Sequence, residues 1–151
     1  NLESIFVPVN KHGWQAKDSV KAINDAYESE NQIITFPAGL CSRKQNGKVV
    51  DLQWTKSFVV KARQFERDII PIHFEGLNSN FFYNLSNLRK KLGVKFNIEM
   101  LFLADEMMKK KNAEFTITFG KPLSWELLDN TKTPLQWAQN IKETVYKLKQ
   151  N

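Results

Sequence analysis

Three short apolar runs, separated by stretches in which apolar residues recur at helical spacing, limit the fold of this chain more than any other feature. Residues 4–9 form a run rich in β-formers, and Asp18 or Ser19 then caps a helix carrying Val20, Ile23 and Tyr27. Residues 32–36 form a second run, stopped by Pro37 and Gly39. Residues 55–66 place Phe58, Ala62 and Phe65 on one helical face, and Asp68 leads into a third run at residues 69–74. Pro71 lies inside that run and marks an edge or a bulge. Strand, helix, strand, helix, strand at such spacing requires crossover connections. The expected fold class is therefore α/β, with a largely parallel central sheet flanked by helices.

The remainder adds helices and one more strand. Phe81, Leu85, Leu88 and Leu92 precede Gly93, which predicts a helix closed by a glycine. Ile98, Leu101, Ala104 and Met108 suggest another. Residues 114–119 alternate as a strand does, before Gly120 and Pro122. Pro134 opens a last amphipathic helix with Trp137, Ile141, Val145 and Leu148. The stretch from Phe36 to about Lys48 is polar and reads as an irregular loop. With 151 residues and no linker or repeat, residues 1–151 form one expected domain.

Cys41 is alone, so an internal disulfide is impossible, and no cysteine pair is spaced for zinc; neither a metal nor a resident cofactor is expected. No apolar stretch approaches the roughly 20 residues that cross a bilayer. The chain opens on Asn1, and an apolar run starts at Ile5, so upstream protein is expected. A net charge of +6 and a pI near 9.4 favour anionic partners: phosphate esters, coenzyme A, acidic lipid heads or nucleic acid. The run Lys109, Lys110 and Lys111 is read first as a solvated helix end.

The candidate chemistry lies in Phe36-Pro37-Ala38-Gly39-Leu40-Cys41-Ser42-Arg43, a strand end passing into a loop. In α/β sheets, ligands bind beyond the carboxyl ends of strands. Gly39 permits close backbone approach, and Arg43 with Lys44 can hold an anion, the guanidinium in a bidentate manner. An ordinary turn with solvated cations fits the spacing equally well.

This segment resembles the F-P-E-G-T-R-S-R block of the glycerophosphate and lysophosphatidate acyltransferases, with Phe36, Pro37, Gly39, Ser42 and Arg43 in matching places. Other pieces fall in that family's order. Ile5-Phe6-Val7-Pro8-Val9-Asn10 is similar to its early apolar strand, Ile70-Pro71-Ile72 to its V-P-V strand, and Phe119-Gly120-Lys121-Pro122-Leu123 to its closing glycine-proline step. The wording of residues 7–13, 36–44 and 75–83 is similar to a bacterial subgroup described as acyltransferases or hemolysins.

The resemblance implies the C-terminal part of a larger acyltransferase domain. It implies acyl transfer from acyl-coenzyme A or acyl carrier protein to a lysophospholipid, glycerolipid or related lipid hydroxyl. It also implies a cytoplasmic protein peripheral to the inner membrane, with no nucleic-acid partner. Gly39, Ser42, Arg43 and Lys44 become the expected acceptor-binding residues.

Two departures shape the expected mechanism. The family's His-x4-Asp base is absent, so no catalytic residue is expected within this chain, which alone should be inactive. His12 and Asp18 have five residues between them, so His12 reads as a loop residue and His73 as a satisfied structural one. The block's glutamate, threonine and arginine are replaced by Ala38, Leu40 and Cys41. Because the lost arginine is implicated in holding an acceptor phosphate, either Arg43 or Lys44 substitutes or the acceptor is a phosphate-free, hydroxylated or amino-acid-based lipid.

Other residues have bland readings that come first. Cys41 has no histidine near it in sequence and makes a weak nucleophile candidate. Phe81, Phe82 and Tyr83 read as packing before an acyl tunnel, and Trp14 and Trp54 are not diagnostic of a lipid interface. Lys142, Lys147 and Lys149 read as the outer face of a covering helix before a membrane contact. The alternative function is a non-catalytic anion- or nucleic-acid-binding module, although the aromatic residues follow core periodicity instead of interleaving with cations.

Overall fold

The computed structural model describes residues 6, 7 and 17–149. Helix α1 spans Lys17–Glu28. Strands β1 (Arg43–Gln45) and β2 (Lys48–Val50) form a hairpin before helix α2 (Ser57–Gln64) and strand β3 (Ile72–Phe74). Helix α3 (Asn80–Lys91), a 3-10 turn (Ile98–Phe102) and helix α4 (Leu103–Met108) lead to strand β4 (Ile117–Phe119). A short 3-10 turn, Trp125–Leu127, precedes the long helix α5 (Pro134–Leu148). Among the described residues no helix is long and apolar enough to cross a membrane.

The expected parallel pairing is not what these residues form. Both described ladders are two-stranded and antiparallel: Arg43 faces Val50, and Ile72 faces Phe119. Residues 32–36 form no regular element and join neither ladder, and residues 4–9 lie outside the described residues apart from Phe6 and Val7. Alternation reports which residues share a face, and it is silent about strand direction. The loop expected up to Lys48 is also corrected. Asn46 and Gly47, at φ +49 and +80, make the left-handed pair that a two-residue hairpin turn requires.

Helices α2 and α5 bury the faces their spacing predicts, whereas α3 turns Phe82, Tyr83, Ser86 and Arg89 inward and leaves Phe81, Leu88 and Leu92 exposed. The helix expected from Ile98 to Met108 is split into a 3-10 turn and α4, with Leu101 and Met108 exposed. From α2, Phe58, Val59 and Ala62 pack with Ala138, Ile141 and Val145 of α5, and Trp54 and Leu128 close this core. Burial of the larger of these, such as Phe58, Val59 and Ile141, stabilises by about 1.5–3 kcal/mol each before entropy is counted. Trp54 is thus a core residue with its ring edge against Phe58. Helix α5 starts with a reciprocal cap. The Thr133 hydroxyl accepts from the Gln136 amide at 3.2 Å, and the Gln136 side chain accepts from the Thr133 amide at 2.8 Å. Thr133→Ala is expected to cost about 1 kcal/mol, read as a lower denaturant midpoint at unchanged slope.

Helix α1 has no basic residue in its last turn, and the chain supplies one from afar. Arg67 donates to the carbonyls of Tyr27, Ser29 and Asn31, placing a cation at the negative helix end. The Tyr27 ring stacks on Phe65 at 5.6 Å, and Lys61 donates to Asn24. Burial pushes the Tyr27 phenol up, and Arg67 opposes it in part.

The β3–β4 ribbon presents two different faces. Ile72 and Phe119 are opposite one another, as are Phe74 and Ile117, and all four are exposed, at 40, 67, 54 and 52 %. A two-stranded ribbon with such a face needs a covering layer for independent stability. On the reverse face, Gly120 comes so near α5 that an added Cβ would meet Leu148 at 3.1 Å and the Pro71 carbonyl at 3.3 Å.

Candidate functional site

Residues 36–44 are built as a tied-down bend. The Gly39 amide donates to the Phe36 carbonyl at 2.9 Å, closing a turn in which Pro37 supplies the preset φ of the second position. Gly39 itself sits at φ +67, a conformation disfavoured for a residue with a Cβ. The Pro37 carbonyl accepts from the Thr55 amide at 3.0 Å, and Ala38 packs on the α2–α5 core. The bend is therefore fixed to the start of α2.

Its second half is held by two carboxylates. Ser42 donates through its hydroxyl to Asp51 Oδ1, while Trp54 Nε1 donates to Asp51 Oδ2 at 3.2 Å. The Asp51 amide donates to the Tyr146 hydroxyl at 2.8 Å, and Lys142 Nζ donates to the Asp51 carbonyl at 2.9 Å. Burial pushes the Tyr146 phenol up, and the hydrogen bond from the Asp51 amide pulls against it. Lys142 is committed to this junction, in keeping with a covering helix.

Arg43 opens β1 and turns inward, 1 % exposed. Its Nη1 donates to the Cys41 carbonyl at 2.7 Å, its Nη2 to Glu99 Oε1 at 2.9 Å, and its Cζ lies 5.6 Å from the centre of the Phe82 ring. Arg89 of α3 reaches the same carboxylate from the other side, Nε to Oε2 at 2.9 Å, and also donates to the Val94 carbonyl at 2.8 Å. Ser86 adds a hydroxyl at 3.3 Å. Burial pushes the Glu99 carboxyl up, but its own backbone amide, Arg89 and Arg43 outweigh that and hold it below its ordinary 4.5.

The four expected acceptor residues thus share one bend but differ in orientation. Ser42 and Arg43 spend their polar atoms on the protein, with Arg43 locking the bend from behind. Lys44 is half-buried, its carbonyl accepts from Asn87, and its ammonium has no side-chain partner among the described residues. Gly39, Ser42, Arg43 and Lys44 line neither the groove at residues 53–56 and 133–135 nor the one between the end of β3 and α4. Sequence reading missed Glu99, Arg89 and Asp51, the residues that fix the bend. An Asp with Trp three residues later gave the only local hint of the Asp51–Trp54 contact.

A second buried carboxylate organises the start of α3. Glu106 accepts from the Ser79 hydroxyl at 2.6 Å and from the Ser79 amide, while Ser79 caps the Phe82 amide. Burial raises the Glu106 carboxyl, but Ser79 and Lys109 together hold it below its ordinary range. Lys109 also meets Asp105 at 2.6 Å, so this lysine belongs to a helix end as expected. Phe82 and Tyr83 are buried, and Phe81 is half exposed with its ring edge on Phe102.

The remaining candidates bring no further chemistry. His73 was expected to be satisfied, yet its Nδ1 is buried with no hydrogen-bond partner among the described residues. Ribbon pairing with Thr118 uses its backbone, not its ring. His12 and Trp14 lie outside the described residues. Cys41 is a free, half-buried thiol, and no three potential metal ligands converge among the described residues.

Comparison with known proteins is consistent across the chain. Residues 1–151 match the family model described as Acyltransferase. The chain is 55 % identical over 147 residues to the lyso-glycine lipid O-acyltransferase of Bacteroides thetaiotaomicron, covering 97 % of this chain and 54 % of that protein. It is 54 % identical over 147 residues to the protein of the same name from Phocaeicola vulgatus, covering 97 % of this chain and 53 % of the relative. The chain therefore spans about half the length of the curated relatives it matches. No solved structure matches it. A family match over all 151 residues settles the affiliation: the chain belongs to the acyltransferase family.

Proposed function

We propose that this chain is the acceptor-side part of an enzyme that transfers a fatty acyl group from acyl-coenzyme A or acyl carrier protein to the hydroxyl of a lyso-glycine lipid. The observation that carries the reading is the 55 % identity, over 97 % of this chain, to a protein named for that reaction. Cys41 supports it. It stands where the resembling block has an arginine implicated in gripping phosphate, and a glycine-headed acceptor makes no use of such a grip.

The chemistry is direct transfer. The acceptor hydroxyl attacks the thioester carbonyl carbon, a base removes the hydroxyl proton, and the C–S bond breaks as the thiolate leaves and takes up a proton. The base is the histidine of a His-x4-Asp motif, which this chain lacks. Work on acyl lipids by a basic protein without a membrane-crossing helix among its described residues fits peripheral attachment at the inner membrane's cytoplasmic face.

The same reading includes a largely parallel central sheet completed by further chain. Two features support it: the apolar residues 32–36, with Ile34 and Phe36 exposed at 75 and 83 %, and the uncovered apolar face of the β3–β4 ribbon. Both have the pattern of sheet surface awaiting a neighbour.

In this reading Gly39 and Lys44 present the bend to the acceptor, while Ser42 and Arg43 hold it in place. The test uses the full-length protein with both donors and offers a lyso-glycine lipid or lysophosphatidate, with the ester product read by mass spectrometry. Product from the glycine-headed lipid alone is expected; preference for the phosphate acceptor would overturn the reading. Arg43→Ala is expected to lower kcat/KM at least tenfold, and Arg43→Lys to recover part of it because an ammonium lacks the planar fork. Unchanged activity in Arg43→Ala would remove this residue from the site.

A further inference from the structure

A groove of about 560 Å³ opens between the end of β3 and helix α4, with Leu77 and Asn78 among the residues that line it. Its volume falls within the roughly 300–1,000 Å³ common to small-ligand sites. Phe74 and Phe115 stack at 5.3 Å to make one wall, and Met107 and Met108 make the other. Both methionines are exposed, at 69 and 65 %, as is Leu77 at 55 %. Unbranched thioether side chains mould themselves to apolar ligands of varying shape.

Gly76 matters to this wall. A Cβ there would collide with the Phe74 ring, so glycine is what lets the ring fold back beside Phe115. Lys110 and Lys111 line the same groove. Lys109 is neutralised by Asp105 and Glu106, and Glu106 is satisfied by Ser79. Lys110 and Lys111 have no carboxylate partner among the described residues. An apolar trough flanked by two uncommitted cations complements a chain with an anion at its end.

We infer that this groove receives the acyl chain of the single-chain acceptor lipid, with Lys110 and Lys111 beside the carboxylate of its glycine head. The inference deepens the function proposed above and rests on it for the identity of the head. A glycine joined to lipid through its amine keeps its carboxylate, which is the anion two ammonium groups would select. Phe74 joins this strip to the apolar ribbon face, but the two cations lie beside the strip, and they suit it to an amphiphile.

The probe is N-palmitoylglycine, which has the chain and the carboxylate but no hydroxyl to acylate; its methyl ester supplies the neutral head. In the full-length protein, saturating N-palmitoylglycine is expected to slow peroxide oxidation of Met107 and Met108 at least threefold. By calorimetry the methyl ester should bind about tenfold more weakly. The double variant Lys110→Gln, Lys111→Gln should erase that preference and leave ester affinity unchanged. The double variant Met107→Gln, Met108→Gln should weaken both ligands about tenfold.

Three results would overturn the groove: methionines already protected without lipid, oxidation unaltered by saturating probe, or discrimination retained in the lysine variant. The first would mean that protein occupies the trough. Acyl transfer measured on the same variants separates the two ideas. Protection by the probe without transfer to glycine-headed lipids keeps the groove and removes the proposed reaction, while transfer unaffected by every groove variant does the reverse.

Discussion

Replacing Glu99 by alanine is expected to lower stability by about 3–5 kcal/mol, the range seen when one member of a buried ion network is removed. Glu99 is fully buried and is the shared carboxylate of Arg43 and Arg89. Its loss leaves two guanidinium groups in the interior with only carbonyl oxygens to serve them. Glu99→Gln keeps the shape and an acceptor oxygen, so its cost should be smaller, and the difference isolates the charge. Equilibrium denaturation of both variants at constant pH measures it, and an unfolding free energy for Glu99→Ala within about 0.5 kcal/mol of the parent, the ordinary spread of surface changes, would contradict the network's role.

The same carboxylate fixes a pH dependence. Its folded value lies below its ordinary 4.5, so the folded state binds its proton less readily than the unfolded state does. Stability from this group is therefore present in full above the unfolded value and is lost as pH falls through the folded one. Glu106 acts with the same sign. The protein should lose stability below about pH 4.5, and Glu99→Gln should flatten that limb of the profile.

Phe82→Ala is expected to cost about 3–5 kcal/mol, as large aromatic truncations in well-packed interiors do. Phe82 has no exposed surface, meets Tyr83 edge to face at 5.7 Å, and lies under the Arg43 guanidinium. Its removal opens a cavity next to a buried charge, and water entering there would weaken the Arg43–Glu99 pair. A double cycle with Glu99→Gln should therefore show coupling of about 0.5 kcal/mol or more. Phe82→Leu, which refills most of the volume, should cost less than half as much; equal losses would show that volume is not what Phe82 supplies.

The helices were legible because their cues are local. Phe58 and Ala62, Phe81 through Leu92 closed by Gly93, and Pro134 after Thr133 all place apolar spacing beside a start or stop signal. Strand direction was not legible, since the partner of Ile72 is Phe119, far along the chain, and alternation carries no sense of direction. The β1–β2 hairpin had its Asn46–Gly47 signal in plain view. It was obscured because Arg43, Lys44, Gln45 and Lys48 lack the alternating apolar flanks that normally accompany such a turn.

At the site, sequence found the bend but not its wiring. Arg43 reads as a free cation when Glu99, 56 residues later, is out of view. Nothing around Glu99 marks it as buried, because its interior place comes from Arg43 and Arg89 converging on it and not from periodicity. A basic residue in a family block is as well suited to bracing a loop as to touching a ligand, and only the partner's position tells which.

Residues 75 and 116 are joined by a single hydrogen bond at 2.9 Å, from the Glu75 amide to the Thr116 carbonyl, where the ribbon ends. Everything between them, α3 and α4 included, is an excursion whose two ends stand side by side. Chain can lengthen, shorten or be exchanged there without shifting the Ile72–Phe119 register, since closing a longer loop costs little more than closing a short one. The excursion is nevertheless tied back to the first hairpin, through Glu99 and the Phe82 ring to Arg43 and through Asn87 to the Lys44 carbonyl, so any replacement must still supply a carboxylate and an apolar face there.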